Sequence, residues 1–264
     1  MIESGKTYVV MGLLDSDSIA YAIGETVREM GGNVIYTVQN ERMKRIFIDR
    51  SKKLTDEQKA ALQIEYCDVT VDDEVARLFT KLGEVAGVVH SIGFANPKTC
   101  LGEEFHTDAI DDIKQALEIS SISLATVVRH AEKAMPSGGS IVTLTFDTRN
   151  IYPGYNWMGV CKAALEAIMR GLARRHGHQH IRINALSAGP LATKAATSIP
   201  GFSDLSSTWD RMSPIPWDTS SSKQDVANVA AFLLGPYSRV ITGETIHADG
   251  GATIIAGNLL DHEK

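Results

Sequence analysis

The chain has 264 residues, of which 44% are hydrophobic and 22% charged, as expected for one large globular domain. Its net charge of −6 argues against nucleic acid as a main partner, and its three widely spaced cysteines argue against a disulfide framework or a metal site. No apolar run reaches the roughly 18 residues needed to span a bilayer. The first residues lack a signal-peptide pattern, so we expect no membrane insertion and a cytoplasmic location.

Strand and helix patterns alternate along the chain. Apolar, β-rich runs predict strands at 7–11, 33–38, 63–66, 87–91, 140–144, 181–186 and 245–248. Helical patterns lie between them, at 19–30, 74–82, 108–134, around Lys162 and at 225–234. Parallel strands joined by helices require right-handed crossovers. The order therefore predicts an α/β fold with one Rossmann-like, doubly wound parallel sheet of about seven strands, covered by helices on both faces, with 1–264 as a single domain.

One long stretch, at about 190–222, lacks a periodic pattern and is rich in proline, serine and threonine. So long a connection inside a compact domain is usually a lid or a binding loop. It follows the sixth predicted strand, where an open parallel sheet presents its ligand cleft. We therefore predict a substrate-binding lid.

The turn after the first strand could hold the pyrophosphate of a dinucleotide. Gly12 ends the strand, Ser18 is placed to cap the next helix, and Ile19 begins that helix. Free N–H groups at a helix N-terminus bind phosphate. Because the usual G-x-G-x-x-G is missing, this turn by itself equally fits an ordinary capped turn.

The end of the second strand bears on the choice between NADH and NADPH. Gln39 can hydrogen-bond a ribose diol without charge, which favours NADH. The neighbouring Arg42, Lys44 and Arg45 could attract the 2′-phosphate of NADPH, although a solvated basic helix face explains them at least as well.

Two further strand ends are candidate cofactor contacts. Asp68 and Val69 follow the third strand and could meet adenine with a carboxylate and a small apolar wall. After the fourth strand come Ser91, Ile92 and Gly93, where a glycine lets a cofactor approach the backbone closely.

Tyr155 and Lys162 lie seven residues apart. Seven steps of an α-helix return a side chain to within roughly 20° of the same face. The phenol can then donate a proton or a hydrogen bond to a substrate oxygen, while the ammonium holds a sugar hydroxyl and favours the phenolate. Such a pair is more often a surface feature, so its meaning depends on the surrounding motifs.

Together these features resemble the enoyl-acyl carrier protein reductases, a divergent branch of the short-chain dehydrogenase/reductase superfamily. The ordinary superfamily pattern, Tyr-x3-Lys, is absent because Gly159 stands four residues after Tyr155. Phe146 with Asp147 looks like the long-chain type known as the isoniazid target. The resemblance covers nearly the whole chain and rests on the turn at 12–20, Val89 to Ala95, Tyr-x6-Lys, Ile183 to Pro190, Thr193, and His247 to Gly251.

This resemblance implies NADH-dependent reduction of a trans-2-enoyl thioester, the final step of type II fatty acid elongation. Tyr155 would hydrogen-bond the thioester carbonyl, Lys162 would bind the nicotinamide ribose, and Phe146 would pack beside the nicotinamide and the substrate, although a core aromatic is the other interpretation of Phe146. The resemblance also places Leu191 and Thr193 on the cofactor and Ala95 at the substrate entrance. It implies a homotetramer that uses acyl carrier protein or acyl-CoA substrates.

One departure concerns the carrier. Acyl carrier protein is acidic, yet no Lys or Arg lies between positions 195 and 210 of the predicted lid. Docking could use the flanking Lys194 and Arg211, or a basic group elsewhere that contains Arg170, Arg174 and Arg175.

Two other functions stay open at this point. A carbonyl or 3-ketoacyl reductase of the same superfamily is opposed by the missing Tyr-x3-Lys, and a comparison of crotonyl with acetoacetyl thioesters would decide it. A non-catalytic dinucleotide sensor is opposed by the presence of both Tyr155 and Lys162.

Overall fold

A seven-stranded parallel sheet forms the centre of the computed structural model, which describes residues 1–102 and 104–255. The strand order is β3-β2-β1-β4-β5-β6-β7, and every neighbouring pair is parallel. This confirms the predicted fold class. The strands are β1 (Thr7–Met11), β2 (Asn33–Val38), β3 (Gln63–Tyr66), β4 (Gly87–His90), β5 (Gly139–Thr145), β6 (Ile181–Ala188) and β7 (Thr245–Ala248).

Helices cover both faces of this sheet. They are α1 (Ile19–Glu29), α2 (Glu41–Lys44), α3 (Asp56–Ala61), α4 (Asp72–Leu82), α5 (Ile110–Leu117), α6 (Ser123–Ala131), α7 (Asn156–His176), α8 (Phe202–Met212) and α9 (Ser222–Leu234). Side chains of a strand alternate between faces, so Val10 packs in the core layer that contains α1 and α9, while Val9 packs in the layer of α4, α6 and α7. None of the described helices is long and apolar enough to cross a membrane.

The predicted helix 108–134 is present as one helical run over 110–134, but it is not α-helical throughout. It is divided into α5 and α6 by a π-helical turn at Glu118–Ile122. Two buried serines in this turn make tertiary hydrogen bonds: Ser120 Oγ bonds both the N–H and the carbonyl of Phe94 (2.9 Å each), and Ser121 Oγ donates to the Cys161 carbonyl (2.7 Å). A π-turn inserts one residue into a helix, which re-aims the side chains for such contacts.

The stretch 190–222, which was predicted to be a lid, contains a helix that the sequence pattern did not predict. Helix α8 lies inside 190–222, between prolines, and its Trp209 is buried. Elements between β2 and β3 were also missed, since α2, a π-turn at Arg45–Asp49 and α3 lie there. His176, the last residue of α7, is buried and contacts Gln179 and Glu132.

Candidate active site

Tyr155 and Lys162 both lie near the start of α7, but the geometry differs from the predicted pair on one helix face. Helix α7 begins at Asn156, and Tyr155 is its N-cap residue, with φ −104° and ψ 28°. Lys162 lies inside the helix and is buried. The N-cap position frees the phenol from the helix surface. It turns towards the end of β5, where its ring lies 5.1 Å from the Phe146 ring.

Lys162 is a buried cation with few partners. Its Nζ donates to the Leu144 carbonyl of β5 at 2.9 Å. Burial lowers the pKa of Lys162 to about 8, while Cys161 and Glu166 act in the opposite direction. Glu166 accepts hydrogen bonds from Thr145 (2.9 Å) and from Thr148 (2.8 Å). Lys162 therefore stays mostly protonated at neutral pH and can donate further hydrogen bonds.

Aromatic side chains enclose the phenol. Phe146, directly after β5, packs edge-on against Tyr152 at 4.7 Å and lies 5.5 Å from Trp209 of the lid helix α8. The Trp209 indole N–H donates to the Asp249 carbonyl (2.9 Å), which ties α8 to the end of β7. Burial raises the pKa of Tyr155 above its ordinary value, so its phenol stays protonated at neutral pH. No hydrogen-bond partner of the Tyr155 hydroxyl lies in the described part of the chain.

Asp147 organises the loop that carries Phe146 and Tyr155. It accepts hydrogen bonds from Arg149 (2.7 Å), Asn150 (2.9 Å) and Tyr152 (2.9 Å). Burial acts to raise the pKa of Asp147, but these three hydrogen bonds outweigh it and lower that pKa to about 2. The carboxylate is thus ionised at any physiological pH and fixes the shape of the loop.

The predicted cofactor contacts at β1 and β4 lie against each other. Gly12 has φ +88°, and a Cβ there would clash with the Ser91 carbonyl and press on Ile92. At Gly93 a Cβ would stand 3.7 Å from Lys162 Nζ, so this backbone lies beside the ammonium. The two glycines thus serve different purposes: Gly12 lets two backbones meet, and Gly93 leaves the space next to Lys162 open.

The β1–α1 turn supplies a free hydroxyl. Ser18 is confirmed as the α1 N-cap, since its Oγ accepts from the Tyr21 N–H (3.2 Å) and donates to the Asp15 carbonyl (2.6 Å). Its hydroxyl is therefore already engaged. Ser16 Oγ is buried and has no partner within residues 1–102 and 104–255. An unpaired buried hydroxyl beside the helix N-terminus fits the oxygens of a pyrophosphate, and Ile19 begins the helix there.

The ends of β2 and β3 are joined by a side-chain hydrogen bond. Gln39 Nε2 donates to Asp68 Oδ2 at 2.8 Å. Burial acts to raise the pKa of Asp68, but hydrogen bonds from Gln39 and Thr70 outweigh it and lower that pKa. Val69 is buried next to this pair. A neutral amide, a carboxylate and an apolar side chain therefore lie together after β2 and β3.

The remaining predicted residues lie on the segments that follow β6 and β4. Leu191 is buried at the base of the lid, and Thr193 Oγ1 accepts from the Ala196 N–H at 3.1 Å. Ala95 packs with Tyr155 in an apolar cluster that includes the loop after β4. The structure thus brings the predicted residues together along the carboxyl edge of the sheet, with Gln39 and Asp68 at one end and Tyr155 at the other.

Comparison with known proteins agrees with this geometry. Residues 12–253 match the family model described as enoyl-(acyl carrier protein) reductase. The NADH enoyl-[acyl-carrier-protein] reductase FabI of Bacillus cereus is 36% identical, over 95% of this chain and 98% of that protein. The chain belongs to the enoyl-acyl carrier protein reductase family.

Relatives in this family are named for different cofactors. FabI of Escherichia coli, named for NADH, is 34% identical over 98% of both chains, and FabI of Staphylococcus aureus, named for NADPH, is 36% identical over 93% of this chain and 96% of its own. A crystal structure of the Bacillus cereus enoyl-acyl carrier protein reductase with NADP+ and an indole naphthyridinone has a TM-score of 0.87 and 35% identity, covering 96% of this chain and 98% of that one. The family thus implies a nicotinamide dinucleotide without settling which one.

Two residues near this site, His90 and Ser16, were not predicted as site residues, although both lie in stretches on which the resemblance rests. His90 ends β4 and is buried between Thr143 (3.0 Å) and Ser123 (2.9 Å). Burial, followed by the nearby Lys162 charge, lowers the pKa of His90 to about 3, so its ring is neutral. Ser16 is a lone polar residue that gives no pattern of its own, and only its buried, unpaired state marks it.

Proposed function

We propose that this chain reduces the trans-2 double bond of an enoyl thioester with NADH, as in the last step of the fatty acid elongation cycle. The observation that carries the proposal is a buried Lys162 ammonium beside the open backbone at Gly93, together with a Tyr155 phenol that packs on Phe146. The bound cofactor supplies the hydride that is delivered to C3 of the thioester. The residues of the chain bind and orient the cofactor and the thioester, and they stabilise the charge that develops on the thioester carbonyl.

Tyr155 acts on the thioester carbonyl. As the double bond is reduced, negative charge develops on that oxygen, and a protonated phenol can donate a hydrogen bond that strengthens with the charge. The raised pKa of Tyr155 keeps this proton in place. Phe146 packs on Tyr155 and would exclude water beside the reacting carbons.

Lys162 would hold the ribose hydroxyls of the nicotinamide half. Its one described hydrogen bond, to the Leu144 carbonyl, leaves donors available towards Gly93. At the other end of the cofactor, Ser16 and the α1 N-terminus would receive the pyrophosphate, with Leu191 and Thr193 closing from the lid.

NADH is preferred over NADPH in this proposal. Gln39 is neutral and already donates to Asp68, whose lowered pKa keeps it ionised. A dianionic 2′-phosphate next to Gln39 would be repelled by that carboxylate, whereas a diol would not.

The substrate is carried by acyl carrier protein or by coenzyme A, and we propose a homotetramer in the cytoplasm. Three free, buried cysteines fit a reducing compartment. One exposed stripe of small residues on α7 fits contact with a second copy: Val160, Ala163, Ala167 and Gly171.

The test follows NADH absorbance with enoyl thioesters of graded chain length, in parallel with NADPH and with an acetoacetyl thioester. The proposal expects oxidation of NADH by enoyl thioesters and little by the acetoacetyl compound. Faster turnover of the acetoacetyl compound would instead identify a carbonyl reductase. Tight NADH binding with no turnover of any thioester would identify a sensor.

A further inference from the structure

The strongest concentration of charge outside the active site is a basic segment, residues 42–53. Within twelve residues it has six Lys and Arg and one Asp, a net charge of +5 in a chain whose total is −6. Two buried anchors, Ile48 and Leu54, hold the segment on the core layer of α1. The cations between and before these anchors point away from the core.

Most of this charge is not neutralised by the protein. Lys44 pairs with Asp49, and Lys53 pairs with Asp17. The other four cations are exposed, and none of them forms an ion pair within residues 1–102 and 104–255: Arg42, Arg45, Arg50 and Lys52. Positive charges this close repel one another. Binding of an external polyanion would relieve that repulsion, because these four cations have no ion-pair partner in the described part of the fold.

The basic segment adjoins the lid. Lys194, one residue after Thr193, places its ammonium 4.2 Å from the centre of the Phe47 ring, which belongs to the segment. This cation–π contact joins the base of the lid to the middle of the basic segment. Lys194 itself is exposed and extends the positive surface to the mouth of the cleft.

The predicted lid lacks the positive charge of the basic segment. Residues 195–210 contain no Lys or Arg, while Asp204 and Asp210 lie among them. Helix α8 also carries Arg211 in its last turn, so its two carboxylates and one guanidinium leave a net charge of −1, and an acidic carrier would be attracted to the basic segment rather than to α8. The basic segment adjoins the start of this stretch through the contact of Phe47 with Lys194, so the acyl arm could enter from the attractive side.

We propose that the basic segment, extended by Lys194, is the docking surface for the acidic acyl carrier protein that presents the thioester. The proposal rests on the enoyl-thioester reductase function. Because exposed ion pairs are weak singly and screened by salt, docking would act mainly on association and would weaken as ionic strength rises.

The test compares two double charge reversals in the full-length protein. Arg50→Glu with Lys52→Glu alters the basic segment at two exposed positions whose side chains form no hydrogen bond or ion pair within residues 1–102 and 104–255. Lys133→Glu with Arg239→Glu is the matched control: both residues are exposed, lie before the amino ends of β5 and β7, and give the same change in net charge. Each enzyme is assayed with one enoyl group on acyl carrier protein and on uncharged pantetheine.

The expected result is a rise of about tenfold in KM for the carrier substrate in the basic-segment variant, with kcat and the pantetheine kinetics unchanged. The control variant should change KM for the carrier substrate by less than about twofold. A double variant with the neutral substitutions Arg50→Gln and Lys52→Gln should have a KM between those of the two reversal variants. The salt dependence of kcat/KM for the carrier substrate should also flatten in the basic-segment variant.

Equal KM values for the carrier substrate in the two charge-reversal variants would overturn the proposed docking surface. An equal loss of activity of the basic-segment variant with the carrier and the pantetheine substrates would also overturn it. If anionic phospholipid vesicles inhibited the unmodified enzyme but not the basic-segment variant, with carrier KM unaltered, the surface would bind membranes instead. Failure of the unmodified enzyme on every enoyl thioester would refute the proposed function rather than the docking surface.

Discussion

Replacing Lys162 by methionine should stabilise the protein while it damages the site. The pKa of Lys162 is about 8 in the folded chain, against an ordinary value of 10.5. This difference means that folding disfavours the charged form by roughly 3 kcal/mol, at about 1.36 kcal/mol per pH unit. The variant also loses the hydrogen bond to the Leu144 carbonyl, which costs about 1–2 kcal/mol. At pH 7 we expect a net gain of about 1–2 kcal/mol.

The sign of the effect depends on pH. The cost of burying the charge is fully present below pH 8, where Lys162 is protonated in both the folded and the unfolded chain. Between pH 8 and 10.5 the folded chain releases its proton first, so the unfolding free energy of the unmodified protein rises with pH. The Lys162→Met variant lacks this rise. Its advantage should therefore shrink by about 2–3 kcal/mol between pH 7 and pH 10 and become a deficit.

The assay is urea unfolding of both cofactor-free proteins at one fixed concentration, at pH 7 and pH 10, with NADH affinity measured by fluorescence titration. The variant should bind NADH at least tenfold more weakly, since it loses the group that holds the ribose. A stability difference that stays constant between pH 7 and pH 10 would refute the reasoning about the buried charge. Unchanged NADH affinity would refute the role given to Lys162.

Tyr155→Phe should lower kcat by about 10²–10³-fold with NADH affinity unchanged, because it removes a hydrogen bond to the developing negative charge; an equal loss in cofactor affinity would contradict this. Asp147→Asn should flatten the acid side of the stability profile. The Asp147 pKa of about 2 lies below its value in the unfolded chain, so the stability that this carboxylate contributes is present above about pH 4 and is lost as the pH falls through 2. Urea unfolding from pH 5 to pH 2 should therefore show a fall in unfolding free energy that is smaller by about 2 kcal/mol in the variant. Gly12→Ala should lower the free energy of unfolding by at least about 2 kcal/mol and weaken NADH binding, because φ is positive and the new Cβ meets the Ser91 carbonyl. The control is Gly177→Ala, where nothing lies within 4 Å of the new Cβ, and its unfolding free energy in urea should be nearly unchanged.

The sheet could be predicted from the sequence because parallel strands buried on both faces are continuous apolar runs. All seven predicted strands are present, with ends that differ by at most two residues. Helix α8 escaped prediction for the converse reason. Its composition, with four Ser or Thr residues among eleven, favours turns, and the helix is stabilised by tertiary contacts of Trp209 with Phe146 and the Asp249 carbonyl.

The site residues were predictable where they end a strand, since the carboxyl ends of parallel strands meet at one edge. What the pattern could not give is the local backbone. The seven-residue spacing of Tyr155 and Lys162 indicated one helix face, yet Tyr155 precedes the helix as its N-cap. The π-turn at Glu118–Ile122 was equally invisible, because its cause is a set of contacts with Phe94 and Cys161 that are distant in sequence.

The charge state of Lys162 is the property that most needs the three-dimensional structure. A buried ammonium with a single carbonyl partner would lose its proton unless a carboxylate lay close by. Glu166, one turn further along α7, provides that carboxylate and is itself held by two threonines. His90, the other titratable group nearby, is kept neutral by burial and by Lys162. One positive charge therefore remains next to Gly93, and the neighbours that preserve it come from β5 and α7.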